Sequence, residues 1–211
     1  MTQAILFDYD DTLVQTKESK FAALRAIAER HYALRLSDER ILEHWGIPYV
    51  QLFENLFGGV EANVERVMRL YEAANDEFPI DPYPETLEVL RALAERAAIG
   101  IVTSAGGTIV ARQLARIGID VKELVVFQAA DDTPLHKPDP RVFDPALRTL
   151  AARGIAKTRV LYVGDSLRDH AAAHGAGIEF RGVLRGTTRA VDFETAGVQY
   201  LPDLRGLVEL V

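Results

Sequence analysis

Three aspartates stand close together directly after a short apolar run near the start of the chain. The run is "AILF", residues 4–7, and Asp8, Asp10 and Asp11 follow it. An extended backbone points side chains two positions apart to the same side, so Asp8 and Asp10 are predicted to share one face. A carboxylate can act as a nucleophile, a general acid or base, or a metal ligand. The stretch therefore predicts a chemical site, and because crowded carboxylates repel one another, it needs a compensating positive charge.

Polar side chains also follow three later apolar runs, "IGIV", "LVVF" and "VLYV". In chain order, these polar residues are Thr103, Ser104, Lys137, Asp165 and Asp169. Continuous apolar runs such as "AILF" and "VLYV" are typical of parallel strands that are buried on both faces. In an open parallel sheet, ligands bind beyond the carboxyl ends of the strands. We therefore expect carboxylates, hydroxyls and one cation to meet at a single edge of a sheet.

Short apolar runs alternate with helical patterns along most of the chain. Stretches such as "PETLEVLRALAERA" place leucines at helical spacing between the runs. Strands that alternate with helices predict an α/β fold whose parallel sheet carries helices on both faces. The predicted strands are residues 4–7, 99–102, 124–127, 160–163 and 178–184.

Residues 16–81 interrupt this alternation. They contain "SKFAALRAIAERHYAL", "DERILEHWG", "VQLFENLFGG" and "ANVERVMRLYEAAND", which all favour helix, and no stretch that favours a strand. The segment leaves through "FPIDPYP", whose prolines cannot continue a helix. We therefore predict a helical domain over residues 16–81, inserted after the first strand of a sheet domain formed by residues 1–15 and 82–211.

Composition and charge exclude several classes of protein. Of the 211 residues, 48% are hydrophobic, which is enough for a sizeable core, and the net charge of -7 argues against a general nucleic-acid or membrane-surface binder. The arginines of "RGVLRGTTR" are too few to change that conclusion, and we predict that they lie on an exposed loop. No apolar stretch approaches the ~18 residues of a membrane span, and the first residues lack the basic region of a signal peptide. We therefore expect a cytoplasmic protein, and its oligomeric state stays open.

Cysteine is absent from the chain. A disulfide framework, a thiolate nucleophile and a cysteine-bound metal are therefore excluded. The candidate chemistry rests on carboxylates, hydroxyls and one lysine.

Taken in order, the polar clusters resemble the motifs of the haloacid dehalogenase superfamily, in its phosphatase branch. A helical insert after the first strand is also typical of the phosphoglycolate-phosphatase-like group within it. The resemblance implies a Rossmann-like parallel sheet flanked by helices, with residues 16–81 as a cap that closes over the active site. The matching motifs are Asp8-Tyr9-Asp10-Asp11-Thr12, Thr103, Lys137-Pro138 and Gly164-Asp165-Ser166-Leu167-Arg168-Asp169.

The resemblance also implies a role for each residue in phosphoryl transfer. Asp8 would attack phosphorus and form an aspartyl-phosphate, while Asp10 would protonate the leaving alkoxide and then deprotonate the attacking water. Thr103 and Ser104 would hold phosphoryl oxygens. Lys137 would bind the phosphoryl group and offset the charge on Asp8.

A count of charges at this site favours a divalent cation. The motif carboxylates Asp8, Asp10, Asp165 and Asp169 can bring four negative charges together, and a phosphate monoester adds about two more. Lys137 supplies one positive charge. Mg²⁺ prefers oxygen ligands and closes most of this gap. The resemblance places Mg²⁺ on the Asp8 side chain, the Asp10 backbone carbonyl and Asp165, with Asp169 behind them or acting through water.

We therefore predict a Mg²⁺-dependent phosphohydrolase that cleaves a phosphate monoester of a small metabolite. A phosphomutase of the same superfamily stays open, because it would keep Asp10 and return the phosphoryl group to a sugar. A dehalogenase is disfavoured, because that branch lacks an acid at the position of Asp10. A receiver-type phosphoacceptor module is also weaker, because its phosphorylated aspartate follows the third strand. No residue pattern identifies the substrate.

Overall fold

The structure, a computed structural model, describes residues 2–45 and 49–210. The chain divides into two compact units. The larger unit consists of Met1–Gln15 and Pro82–Val211, and the smaller one of Thr16–Asp81. Each unit has its own cluster of buried apolar side chains.

Within the described residues, the larger unit contains a six-stranded sheet. Its strands are β1 (Ala4–Phe7), β2 (Ala98–Val102), β3 (Val126–Gln128), β4 (Val160–Gly164), β5 (Glu179–Val183) and β6 (Tyr200–Leu201). The strand order is β3-β2-β1-β4-β5-β6, and all neighbouring strands pair in parallel. This is the Rossmann-like order, and it confirms the predicted α/β fold class.

The first strand lies at the centre of the sheet. All four residues of β1 are buried, in agreement with a continuous apolar run that is covered on both faces. Phe7 pairs with Ile101 of β2 on one side and with Val163 of β4 on the other. The backbone N–H of Asp8 then donates to the Val163 carbonyl at 2.8 Å. Asp8 therefore lies where the carboxyl ends of β2 and β4 flank that of β1.

The described part of the smaller unit is helical. Ser37 and Asn63 precede two of its helices, and each side chain accepts a hydrogen bond from a backbone N–H of the first turn. In its core, the rings of Phe53 and Tyr71 meet edge to face at 5.1 Å. The predicted helical character is confirmed for the described residues, and Gly46, at the end of "DERILEHWG", lies outside them. The helices are α1 (Thr16–Tyr32), α2 (Asp38–Leu42), α3 (Tyr49–Phe57) and α4 (Val64–Ala73), and a 3₁₀ turn, Ala74–Asp76, follows them.

In the described part of the larger unit there are six further α-helices, and most of them connect successive strands of the sheet. Across residues 2–45 and 49–210, no helix combines the length and the apolar character needed to cross a membrane. The six are α5 (Thr86–Ala94), α6 (Gly107–Arg116), α7 (Asp144–Ala152), α8 (Leu167–Ala176), α9 (Ala190–Thr195) and α10 (Leu207–Leu210).

The structure corrects the strand prediction in two places, a late start of β3 and an additional strand. The third strand begins two residues later than predicted, because the Leu124 N–H closes a 3₁₀ turn on the Val121 carbonyl at 3.3 Å. The strand β6 was not predicted at all. It has two residues, which is too short to show a period of alternation, and its pairing with β5 defines it.

Candidate active site

Asp8 and Lys137 form a buried ion pair at the carboxyl end of β1. The Lys137 Nζ atom lies 2.6 Å from Asp8 Oδ1, and the two residues are 6% and 7% exposed. Burial raises the pKa of Asp8 to about 7 against the opposing effect of Lys137, and the charges of Asp169 and Asp10 add to the rise. Although burial disfavours its charge, the carboxylates of Asp169 and Asp8 raise the pKa of Lys137 well above its usual value. Lys137 therefore stays protonated. Its charge offsets only part of the rise that burial causes in the pKa of Asp8.

The Lys137 ammonium group has three oxygen partners. Besides Asp8, these are Asp169 Oδ1 at 2.7 Å and the Tyr162 hydroxyl at 2.9 Å. An ammonium group has three N–H donors, so these contacts use its full capacity. The Tyr162 hydroxyl in turn donates to the Val102 carbonyl at 3.1 Å. Tyr162 was missed by the sequence analysis, although a tyrosine within a buried apolar strand signals a need for a polar partner.

Asp169 contacts Lys137 and also takes part in the N-terminal cap of α8. Its Oδ2 atom accepts hydrogen bonds from the backbone N–H and the hydroxyl of Ser166, while Ser166 Oγ accepts the Asp169 N–H at 3.2 Å. This reciprocal arrangement is a capping box. A Cβ atom at Gly164 would lie 2.7 Å from Asp169 Cγ, so the end of β4 has room only for glycine. Both oxygens of Asp169 thus already have partners, Oδ2 in the capping box and Oδ1 at the Lys137 ammonium group.

Asp8, Asp165 and Asp169 form a buried acidic cluster. Each offers one carboxylate oxygen, and these three atoms lie within 4.8 Å of one another. Burial raises the pKa of Asp165 well above its ordinary value, the charges of Asp169, Asp8 and Asp11 add to the rise, and Lys137 opposes it. Three carboxylates therefore face one ammonium group. A hard divalent cation fits this set of oxygen donors and this excess of negative charge.

The loop after β1 turns sharply beyond Asp8. The carboxylate of Asp10 is not part of the acidic cluster, yet its charge raises the pKa of Asp8. Asp11 has a φ angle of 51°, a left-handed conformation that aspartate tolerates in turns. A β-bridge then joins Asp10 to Val14. The structure thus brings Asp10 near Asp8 and gives Asp11 the role of a turn residue.

Thr103 follows β2, next to β1 in the sheet. Thr103 is 4% exposed, its backbone N–H donates to the Gln128 carbonyl at 3.0 Å, and its hydroxyl accepts the Ala105 N–H at 3.0 Å. A hydroxyl that accepts a hydrogen bond still has its own proton to donate. Ser104, by contrast, is exposed. The strand order thus brings Thr103 to the same sheet edge as Asp8.

Arg185 corrects the prediction that the arginines of "RGVLRGTTR" lie on an exposed loop. Its side chain is 5% exposed, forms an ion pair with Glu85, which is 4% exposed, and donates to the Thr12 carbonyl. The guanidinium carbon also lies 3.7 Å from the centre of the Tyr83 ring. The prediction is wrong for Arg185 because a buried carboxylate 100 positions earlier compensates its charge. It is also wrong for Arg181, which lies within β5 rather than on a loop and has a side chain only 12% exposed.

The sequence of this chain is similar to those of known proteins. Residues 5–183 match the sequence model of the haloacid dehalogenase-like hydrolase family. Pyrophosphatase PpaX from Bacillus velezensis is 30% identical over 189 residues, which cover 85% of this chain and 82% of that protein. Glyceraldehyde 3-phosphate phosphatase from Methanopyrus kandleri is 29% identical over an alignment that covers 96% of this chain and 92% of that one.

The structure of this chain is also similar to solved structures. A predicted phosphoglycolate phosphatase from Haemophilus somnus 129PT has a TM-score of 0.81 at 21% identity, over 99% of this chain and 97% of that one. At this identity the likeness concerns the fold alone. Because the matched residues 5–183 run from β1 to the end of β5, they include the whole acidic cluster. This chain therefore belongs to the haloacid dehalogenase-like hydrolase family.

Proposed function

We propose that this protein is a Mg²⁺-dependent phosphatase that hydrolyses a phosphate monoester of a small metabolite. The observation that carries the proposal is the buried Asp8–Lys137 pair beside the carboxylates of Asp165 and Asp169. The names of the two relatives, a glyceraldehyde 3-phosphate phosphatase and a pyrophosphatase, support small phosphorylated substrates.

The first step forms a covalent intermediate on Asp8. Its carboxylate attacks phosphorus, the bond between phosphorus and the ester oxygen breaks, and Asp10 gives a proton to the departing alkoxide. In the second step, Asp10 takes a proton from a water molecule that attacks the aspartyl-phosphate. Inorganic phosphate leaves, the Asp8 carboxylate is restored, and Asp10 is protonated again for the next cycle.

The remaining polar groups hold the reactants. Lys137 orients Asp8 through the 2.6 Å hydrogen bond and lowers the repulsion between Asp8 and an incoming phosphate. The Thr103 hydroxyl donates a hydrogen bond to a phosphoryl oxygen, and Ser104 is assigned to binding the phosphoryl group in the same way. Because Lys137 already has three partners, direct contact with the phosphoryl group requires the exchange of one of them.

The acidic cluster is the proposed magnesium site. Asp8, Asp165 and the backbone carbonyl of Asp10 would hold the ion, and Asp169, whose oxygens already accept hydrogen bonds, would lie behind them. When bound, Mg²⁺ supplies positive charge that offsets the negative charge of the phosphoryl group.

Phosphate release tests the proposal. The purified protein is incubated with an aryl phosphate and with a panel of phosphorylated metabolites that includes glyceraldehyde 3-phosphate and pyrophosphate. We expect inorganic phosphate to form with Mg²⁺, to fall to background with a chelator, and to return when Mg²⁺ is restored. Phosphate release that a chelator leaves unchanged would contradict the magnesium site.

The same assay separates the alternatives. A phosphomutase would convert a sugar 1-phosphate to its isomer without releasing phosphate. A phosphoacceptor module would incorporate phosphate into the protein without turnover. Either result, together with no hydrolysis across the panel, would replace the proposed function.

A further inference from the structure

Gly186 lies against the carboxylate of Asp165, one of the proposed magnesium ligands. A Cβ atom at Gly186 would overlap Asp165 Oδ2, and it would lie 3.0 Å from Asp165 Cγ and 3.3 Å from the Cβ atom of Asp11. Gly186 also has a φ angle of +57°, which residues with a side chain rarely adopt. Two independent requirements, the backbone conformation and the space, therefore select glycine. The volume that a side chain would fill holds the Asp165 carboxylate instead.

The preceding residue anchors this segment to the first motif. Arg185 donates to the backbone carbonyl of Thr12, in the loop that carries Asp10, and it pairs with the buried Glu85. The planar guanidinium group can reach two acceptors at once, and here it also stacks on the ring of Tyr83. One side chain thus connects the end of β5, the loop after β1 and the residue before α5.

We propose that Arg185 and Gly186 are positioning residues for the acidic site. Arg185 fixes the loop that follows Asp8, and Gly186 leaves the space in which the Asp165 carboxylate is held. Their effect on metal binding rests on the proposed function, whereas the steric relation between Gly186 and Asp165 does not.

A pair of glycine variants tests the role of Gly186. Gly197 also has a positive φ angle, +67°, but apart from its neighbours along the chain no described residue has an atom within 4 Å of the Cβ position there. Gly186→Ala and Gly197→Ala therefore share the backbone strain, and only Gly186→Ala meets Asp165. Titration calorimetry with Mn²⁺ or Mg²⁺ should give a dissociation constant about 10–100-fold higher for Gly186→Ala and an unchanged one for Gly197→Ala. Equal binding by wild type and Gly186→Ala would overturn the inference, as would equal weakening in both variants.

A second measurement needs no metal and so separates this inference from the proposed function. The urea midpoint of unfolding is measured for Gly186→Ala in the wild-type background and in an Asp165→Ala background. In the wild-type background, we expect Gly186→Ala to lower the urea midpoint more than Gly197→Ala does. In the Asp165→Ala background, where the clash is gone, Gly186→Ala should lower the midpoint only as much as Gly197→Ala. If Gly186→Ala does not fold by itself, recovery of folding by Asp165→Ala supports the inference. An equal loss in both backgrounds, or failure to fold in both, overturns it. A wild-type protein that binds no metal would refute the proposed site, and this cycle would still decide the role of Gly186.

Arg185 is tested by a change that keeps its charge. Arg185→Lys can still pair with Glu85, but it lacks the planar fork that reaches the Thr12 carbonyl at the same time. We expect metal binding to weaken about 10-fold. Arg189→Lys is the matched control, because its side chain is 76% exposed and pairs with Asp192 at the surface. Unchanged metal binding by Arg185→Lys would overturn the role of Arg185.

Discussion

Lys137 Nζ lies 2.6 Å from Asp8 Oδ1, although 129 positions separate the two residues along the chain. Removing two charges from water costs several kcal/mol per ion, and a buried pair often adds little net stability. Stability alone therefore gives little reason for burying this pair, whereas the proposed function gives one. In the proposed mechanism, Asp8 attacks phosphorus from the end of the central strand, and the Lys137 ammonium group orients its carboxylate.

Asp8→Asn should abolish turnover and leave the fold intact. The amide has nearly the shape of the carboxylate but cannot attack phosphorus, so we expect phosphate release to fall by about 10⁴-fold or more. Asp144→Asn, a change of the same kind at an exposed position, should keep wild-type turnover. Substantial activity in Asp8→Asn would exclude Asp8 as the nucleophile, and phosphate incorporation into this variant would favour a phosphoacceptor module.

Lys137→Met should destabilise the metal-free protein strongly. The change leaves the buried carboxylates of Asp8 and Asp169 without their cation, and breaking a buried pair in this way costs about 3–5 kcal/mol. Urea unfolding with a chelator present measures the loss. Arg141→Met removes a cation of an exposed pair with Asp139 and should change the midpoint far less. Similar losses in the two variants would show that Lys137 is not compensating buried charge.

Tyr162→Phe should leave the Lys137 ammonium group less firmly held, because it removes one of its hydrogen-bond acceptors. The ammonium group loses one of its three acceptors and the Val102 carbonyl loses a donor, which should lower the free energy of unfolding by about 1–3 kcal/mol. We expect turnover to fall about 10-fold, because Lys137 then orients Asp8 less well. Tyr200→Phe removes a surface hydroxyl that donates to Glu194 at 2.8 Å, and it should have little effect on either quantity. Equal behaviour of the two variants would contradict the role of Tyr162.

Gly164→Ala should displace Asp169. The new methyl group would overlap the Asp169 carboxylate, so we expect a loss of about 1–3 kcal/mol in the free energy of unfolding and weaker metal binding. Gly59→Ala is the control, since apart from its neighbours along the chain no described residue has an atom within 4 Å of its Cβ position. Thermal or urea unfolding of both variants checks the stability, and calorimetric titration checks the metal. A Gly164→Ala protein as stable as Gly59→Ala would mean that Asp169 moves aside without cost.

The positions of the motif residues followed from local patterns. A continuous apolar run predicted β1 and β4 because a strand buried on both faces needs apolar side chains at every position. Polar residues directly after such runs were then expected at one sheet edge, and the structure brings Asp8, Thr103 and Asp165 to the ends of adjacent strands. The two-residue strand β6 lay below the length at which a pattern becomes visible.

The supporting residues did not follow from local patterns. Tyr162 contacts a lysine 25 positions away, and Arg185 pairs with Glu85 at a separation of 100. No short stretch records such a pairing, because it depends on where the crossovers between strands place each end. Gly186 is similar, since its neighbour Asp165 is recognised only once β4 and β5 lie side by side.

The sequence by itself determined the alternation of strands and helices, the helical segment after β1 and the polar residues at the strand ends. These features depend on the chemistry of near neighbours, which the order of residues contains directly. The tertiary structure alone decided which carboxylate shares the Lys137 ammonium group, which oxygens of Asp169 are already hydrogen-bonded and why residue 186 lacks a side chain. Those relations are set by packing between distant segments, and packing is a property of the folded chain as a whole.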